Sequence, residues 1–464
     1  MRNIIEKFIK QENVRDIFRF YKIKHERKKS FEEVLRPIYI LSIIFGLRVF
    51  EFPQSHSRPI LSFLYSMSFY CLHFVGWTYQ EERIYNTGMF DLDRTITYVL
   101  SISEKMMIFI ILILGLHKSE SSKLFAKRIS EIDKTLQALG SSTSFNSIYK
   151  MTIMSITIAI LYLFLFFITI IIWMTILNNP IYKSFILYLS LMLNIYTFMV
   201  QFILLIEFFT IIRCIESEFR RANDLLSDVN VLPISSIASE LLEHKKADGS
   251  LSIESSLPVD SKKLFIGLSS LCRSKSQLQV ESYKINKSRR LLRTIRQVHL
   301  ELYRVSKSYS NMYGIQISLE VAISVLFNIY VLYDFYTKLE KETGNINDLI
   351  HHLMVFIFCC SQYTLKIFII NYICDKTTEE AERTNEIIHT FYGQNTDFEI
   401  KKEVEIFSLQ MMQCRTVYTA YGLYNLNCKH ICSVGVIVYV QSDYKQKRII
   451  TNIIIFLFFS VSVS

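Results

Sequence analysis

Apolar and polar positions alternate along this chain in long blocks. Six apolar runs lie at about 59–79, 96–116, 151–177, 184–212, 312–336 and 349–375, separated by stretches rich in charge. The third, Met151–Leu177, holds no charged side chain in 27 residues. As a helix such a run is about 40 Å long, enough to cross a hydrocarbon core of about 30 Å with tilt. A helix buried in a soluble protein rarely needs that length. A shorter run at 430–441 is followed by another at 449–460. The pattern predicts an all-α membrane protein with seven transmembrane helices. Pro37–Phe50 is also apolar, but its 14 residues are too few to span. It reads as a re-entrant or interfacial helix before the first span, with Pro37 in its first turn.

Charge orients these helices. Alternate interhelical segments hold 39 Lys and Arg on one side and only 5 on the other. The positive-inside rule places the richer side, including the N-terminus, in the cytoplasm. The protein is then a multi-pass protein of the plasma membrane, with its C-terminus outside. The net charge of +10 becomes a cytoplasmic surface facing anionic lipid, so no nucleic-acid partner is needed to explain it. The run Ser288–Arg296 has helical spacing and reads as a solvated extension of the fifth span.

The chain divides into a cytoplasmic N-terminal segment (1–36), an interfacial helix with spans one to four (37–213), and a cytoplasmic loop (214–311). That loop carries a Ser-rich, flexible insertion at 222–286. Spans five and six (312–375), a cytoplasmic helical segment (376–429) and a divergent seventh span with a tail (430–464) follow. The apolar positions of 376–429 have helical spacing, broken at Gly393.

Composition adds exclusions. Apolar residues make up 51% and mean hydropathy is +0.26, with only 12 Gly and 6 Pro for turns. The nine cysteines show no CxxC spacing and read as small buried hydrophobes. There is no Walker-type loop, HExxH or GxSxG, so neither an enzyme nor a cofactor is expected. No secretory signal peptide is visible near the start. The predicted outer loops lack cysteine, and the inward N-terminus is opposite to a rhodopsin-like receptor.

Local residues point to one family. Leu35-Arg36-Pro37-Ile38-Tyr39 with Phe45-Gly46-Leu47-Arg48 resembles the opening segment of the insect gustatory receptors. Ser308-Tyr309-Ser310-Asn311-Met312-Tyr313-Gly314 resembles their approach to the fifth span. Glu379-Glu380-Ala381 through Phe407-Ser408-Leu409-Gln410 resembles their cytoplasmic helix, and Tyr418–Asn427 the stretch leading to the last span. The resemblance implies a tastant-gated, non-selective cation channel of four subunits, homomeric or shared with other gustatory receptors. It further implies a small-molecule tastant bound from the outer side and a pore lined by the last span. On that span Val436, Val440 and Gln441 are the candidate pore residues. The family's closing signature is Thr-Tyr, five apolar residues, then Gln-Phe. Here Val434-Gly435 and Gln441-Ser442 stand in its place, and Lys445-Gln446-Lys447-Arg448 interrupts the span.

Orientation selects candidates for the ligand pocket. Glu104, Trp173, Tyr196, Phe327, Tyr330 and His352 are the aromatic and polar candidates. At 14% aromatics, packing competes for each ring. His351 and His352 sit at a helix end without metal-ligating partners, so no metal is expected. Glu104 and Lys105 are adjacent and so point in different directions. Glu207, Glu320 and Lys366 share the inner half of spans four to six, a depth that permits a Glu–Lys contact. An epitope tag at the N-terminus should stain only after permeabilisation; staining of intact cells would overturn the orientation.

Overall fold

A computed structural model describes residues 29–49, 58–85, 91–142, 145–176, 185–247, 259–341, 346–391 and 398–429. Eight helices fill them. They are α1 (Phe31–Ile44), α2 (Pro59–Tyr85), α3 (Asp91–Ala138), α4 (Asn146–Ile176), α5 (Phe185–Ala247), α6 (Val259–Lys341), α7 (Ile346–His389) and α8 (Phe398–Gln413). Six of these, α2 to α7, are long and apolar enough to cross a membrane. The predicted seventh span lies outside the described residues.

The helix before the first span starts earlier than its apolar run suggests. Ser30 and Glu33 close a reciprocal capping box, which satisfies two of the free N–H groups at a helix start and fixes the first residue as Phe31. Pro37 therefore stands inside α1 rather than in its first turn. The helix buries Phe31, Val34, Leu35 and Ile38 against the bundle and leaves Ile40 and Ile44 exposed. One buried and one bare apolar side suit a helix lying at the edge of the bilayer.

Helices α3, α5, α6 and α7 far exceed the membrane. At 48, 63, 83 and 44 residues they continue beyond the bilayer on the side assigned to the cytoplasm. The stretch read as a flexible insertion has helical backbone at 222–247 and 259–286. Good helix formers such as Glu240, Leu241, Leu242 and Glu243 outweigh the serines there. Residues 248–258, with Asp248-Gly249-Ser250 and Leu257-Pro258, lie outside the described residues.

Outside the membrane the bundle packs tightly. Ile129, Leu136, Phe219, Leu226, Ile295, Leu302, Ile388, Val404 and Phe407 form part of one continuous core. His299 sits between the rings of Phe219 and Phe407, at 5.1 and 5.9 Å. The arginines read as solvated pair with α8 instead: Arg296 Nε lies 2.9 Å from Glu403 and Arg289 2.5 Å from Glu399. The helical face at 288–296 thus carries α8, because Glu399 and Glu403 repeat at helical spacing opposite it. Within the bilayer the outer helices look different. Leu61, Leu64, Leu72 and Val75 on α2, and Met154, Ile158, Leu161 and Phe164 on α4, are exposed, as lipid-facing chains are.

A short turn follows α8. Tyr418 and Leu426 face each other through the bond from Leu426 N–H to Tyr418 O, at 2.9 Å. Tyr421 and Gly422 take φ of 52° and 78°, the sign pattern of a type I′ turn. The turn rests on α6. Tyr418 donates to Ser306 Oγ at 3.2 Å, and burial pushes its phenol above the usual range, so it stays a donor. A Cβ added to Gly314 would stand 2.9 Å from the Tyr421 nitrogen.

Glycine matters equally at Gly115 of α3, where an added Cβ would collide with the Leu47 carbonyl oxygen. Gly115→Val should cost about 1–3 kcal/mol through overpacking. Gly76→Ala, which meets only the flexible Leu193 side chain, should cost less. Thermal unfolding of the purified proteins checks the order; equal midpoints would refute the close approach.

Candidate functional site

Three helices converge on one lysine. Lys366 of α7 is 2% exposed, near the middle of its span. Its Nζ donates to Glu320 Oε1 of α6 at 2.8 Å and also to Gln201 Oε1 of α5. The ammonium lies 5.2 Å from the ring centroid of Tyr363, one turn earlier on α7. A buried charge costs several kcal/mol unless it is paired, so this contact is what allows Lys366 inside the bilayer. The depth shared by Glu320 and Lys366 in the sequence is realised as an ion pair.

A second carboxylate stands beside the pair. Glu104 of α3 is 7% exposed and lies within electrostatic reach of Lys366, Glu320 and Tyr363. Among the described residues no hydrogen bond or ion pair holds it. Glu320 Oε2, and Gln362 Nε2 one turn before Lys366 on α7, are fully buried without a partner among the described residues. The cluster thus carries two carboxylates and one ammonium. Lys105 turns the other way, toward the rings of Phe74 and Trp77 at 5.6 and 5.9 Å, as adjacent helical positions must.

Aromatic rings wall the cluster. Phe327 stacks on Tyr363, with centroids 4.9 Å apart and planes at 15°. Tyr330 packs against Leu100 and Leu326, next to Phe327 and Tyr333. On the far side of α7, Tyr162 stacks on Phe358 at 4.2 Å. Glu104, Phe327 and Tyr330 therefore fall around one region between α3, α6 and α7. Tyr196 does not join them. It stacks on Phe69 of α2 at 5.4 Å and donates to Phe45 O at 3.4 Å, on the side of the bundle that faces α1 and α2. The side chains of Trp173 and His352 lie outside the described residues, as do Val436, Val440 and Gln441.

Glu207 pairs elsewhere. Arg48, just after α1, reaches it at 2.5 Å, and Tyr313 donates to it at 2.7 Å. The Arg48 guanidinium also donates to Ser122 at 2.9 Å and lies 3.7 Å from the Tyr39 ring centroid. Lys118 donates to Gln316 close by, and its Nζ lies 4.1 Å from the Tyr313 ring centroid. A narrow cavity runs between Arg48, Lys118, Glu207, Tyr313 and Gln316. The sequence reading missed Arg48, Gln201, Gln362 and Tyr363. The signal for Gln201 was available: it is the one amide between Val200 and Ile206 in an apolar run. Arg48 gave no such signal, since its partner lies 159 positions away.

Comparison with known proteins settles the family. The family model described as 7tm chemosensory receptor matches residues 35–440. The chain belongs to this family of chemosensory receptors. The receptor's fold is similar to that of the olfactory receptor OR5 of Machilis hrabei in complex with eugenol. That match has a TM-score of 0.55 at 9% identity and covers 90% of this chain and 97% of that one. A second structure of the same olfactory receptor aligns with a TM-score of 0.55 at 10% identity, over 88% and 96% of the two chains. No curated protein matches the receptor in sequence. The family match stops at residue 440, where the polar stretch Gln441–Arg448 begins.

Breaking the central pair should unfold the receptor. Glu320→Lys and Lys366→Glu should each cost about 3–5 kcal/mol, because each leaves like charges buried together. The double swap should recover part of the loss. The fraction of monodisperse receptor after solubilisation measures this, and a double mutant no better than either single would refute the pairing.

Proposed function

We propose that the receptor is a gustatory receptor that works as a tastant-gated, non-selective cation channel in the plasma membrane. The observation that carries this reading is the family match across nearly the whole chain, joined to a charge pattern that sets the N-terminus inside. Solved relatives in fold include an olfactory receptor holding eugenol, a small aromatic molecule. That supports a small-molecule ligand for this chain too, bound in the region between α3, α6 and α7. The candidate contacts are Glu104, Phe327 and Tyr330, with Trp173 and His352 toward the outer side.

What α8 leaves bare supports assembly. Phe398, Leu409 and Met412 are 76%, 60% and 76% exposed beyond the membrane, where water rather than lipid would meet them. Such chains favour burial against other subunits, and a homo- or hetero-tetramer would place the last spans around one pore. Val436, Val440 and Gln441 would then line it. A second reading has its own support: the family match ends at residue 440 and charges follow at once, which suits a subunit that binds ligand without conducting. A G-protein-coupled receptor would need the opposite orientation.

Current recording across a tastant panel tests the proposal in cells expressing this chain alone and with other gustatory receptors. A ligand-evoked cation current reversing near zero is expected in at least one case. Ligand binding without current in both would favour the non-conducting reading.

A further inference from the structure

The charges around Lys366 do not sum to zero. Glu320 answers the ammonium directly at 2.8 Å, and Gln201 takes a second of its protons. Glu104 remains, 7% exposed and without a bonded partner among the described residues. A carboxylate at that depth calls for a positive charge beyond Lys366, which Glu320 already holds, and none is bonded to it among the described residues. We infer that the missing charge arrives with the ligand: the receptor binds small organic cations, a protonated amine on an apolar ring-bearing body. This rests on the reading of the receptor as gated by a small molecule and names the chemical class of that molecule.

The chemistry around Glu104 separates an amine from a bare metal ion. A hard cation needs several oxygen ligands, and among the described residues no group of His, Cys, Asp and Glu can hold one. The walls are instead aromatic. Phe327 and Tyr363 stack face to face at 4.9 Å beside the carboxylates. Rings attract a weakly hydrated ammonium through their faces, and Tyr363 already receives one such charge from Lys366. Two further groups await partners, both buried: Glu320 Oε2 accepts and Gln362 Nε2 donates. An ammonium carries more than one N–H, so it can serve Glu104 and Glu320 Oε2 together. A ligand ether or carbonyl can take the Gln362 proton. The neutral side of the site, around Leu100, Leu326 and Tyr330, is apolar, as the ring body of such a ligand requires.

The test is a set of isostere pairs, each an arylalkylammonium and its neutral alcohol, such as 2-phenylethylammonium against 2-phenylethanol. Binding is read as the rise in unfolding midpoint of the purified receptor in lipid nanodiscs, so no current is needed. The ammonium member of at least one pair should bind about tenfold or more tightly than its alcohol, the scale of one charge-assisted hydrogen bond. Glu104→Gln should remove that preference, and a monodisperse peak on gel filtration shows that the variant is folded. Glu104→Asp, which keeps the charge, should retain part of the preference. Equal binding of both members by every pair, or an unchanged preference in Glu104→Gln, overturns the inference. Ammonium binding without any ligand-evoked current would instead fault the channel reading and leave the ligand class standing.

Discussion

An ammonium group inside hydrocarbon finds no water to lean on, and the position of Lys366 follows from that fact. It draws Glu320 from α6 and Gln201 from α5, so the three inner helices are held at one depth. A second knot, Arg48 with Glu207, Ser122 and Tyr313, holds the segment after α1 against α3, α5 and α6. In water each such pair would contribute little, because solvent competes for both partners. In the bilayer an unanswered charge has no cheap refuge, so the same contacts forbid sliding. Helices α2 and α4 contribute to neither knot, and their exposed leucines, isoleucines and methionines meet lipid instead.

Beyond the membrane the cohesive force changes. Apolar burial returns as the main driving force, and the long extensions of α3, α5, α6 and α7 build a water-facing bundle with α8. Its interior holds Phe219, His299 and Phe407 in edge contact. Asn223 and Thr384 tie α5 to α7 at 2.6 Å. The arginines of α6 point at Glu399 and Glu403 rather than only at lipid. One protein thus uses two opposite solvents, with polar knots where lipid surrounds it and apolar packing where water does.

Much of this was legible in the sequence because the membrane imposes a strong period. Each of the six long apolar runs lies on its own helix. Glu320 and Lys366 could be paired by depth alone, and Glu104 and Lys105 could be sent apart by helical geometry. Four things were not legible. The start of α1 depended on a Ser30–Glu33 capping box, which an apolar run beginning at Pro37 does not reveal. The helical backbone at 222–247 and 259–286 was obscured by serines, whose weak propensity loses to their neighbours. Tyr196 was oriented by depth, and depth says nothing about which side of a helix faces α2. Contacts such as Arg48 with Glu207 join positions far apart in the chain, and no local pattern announces them.

The turn at Tyr418–Leu426 is seated on α6 without a Cβ between Gly314 and the Tyr421 backbone. Surfaces that close behave as meshed teeth. A rotation of α6 by a single residue, about 100°, would unseat the turn. The rotational setting of α6 and the seating of the turn are therefore fixed together, as a key is fixed by its lock.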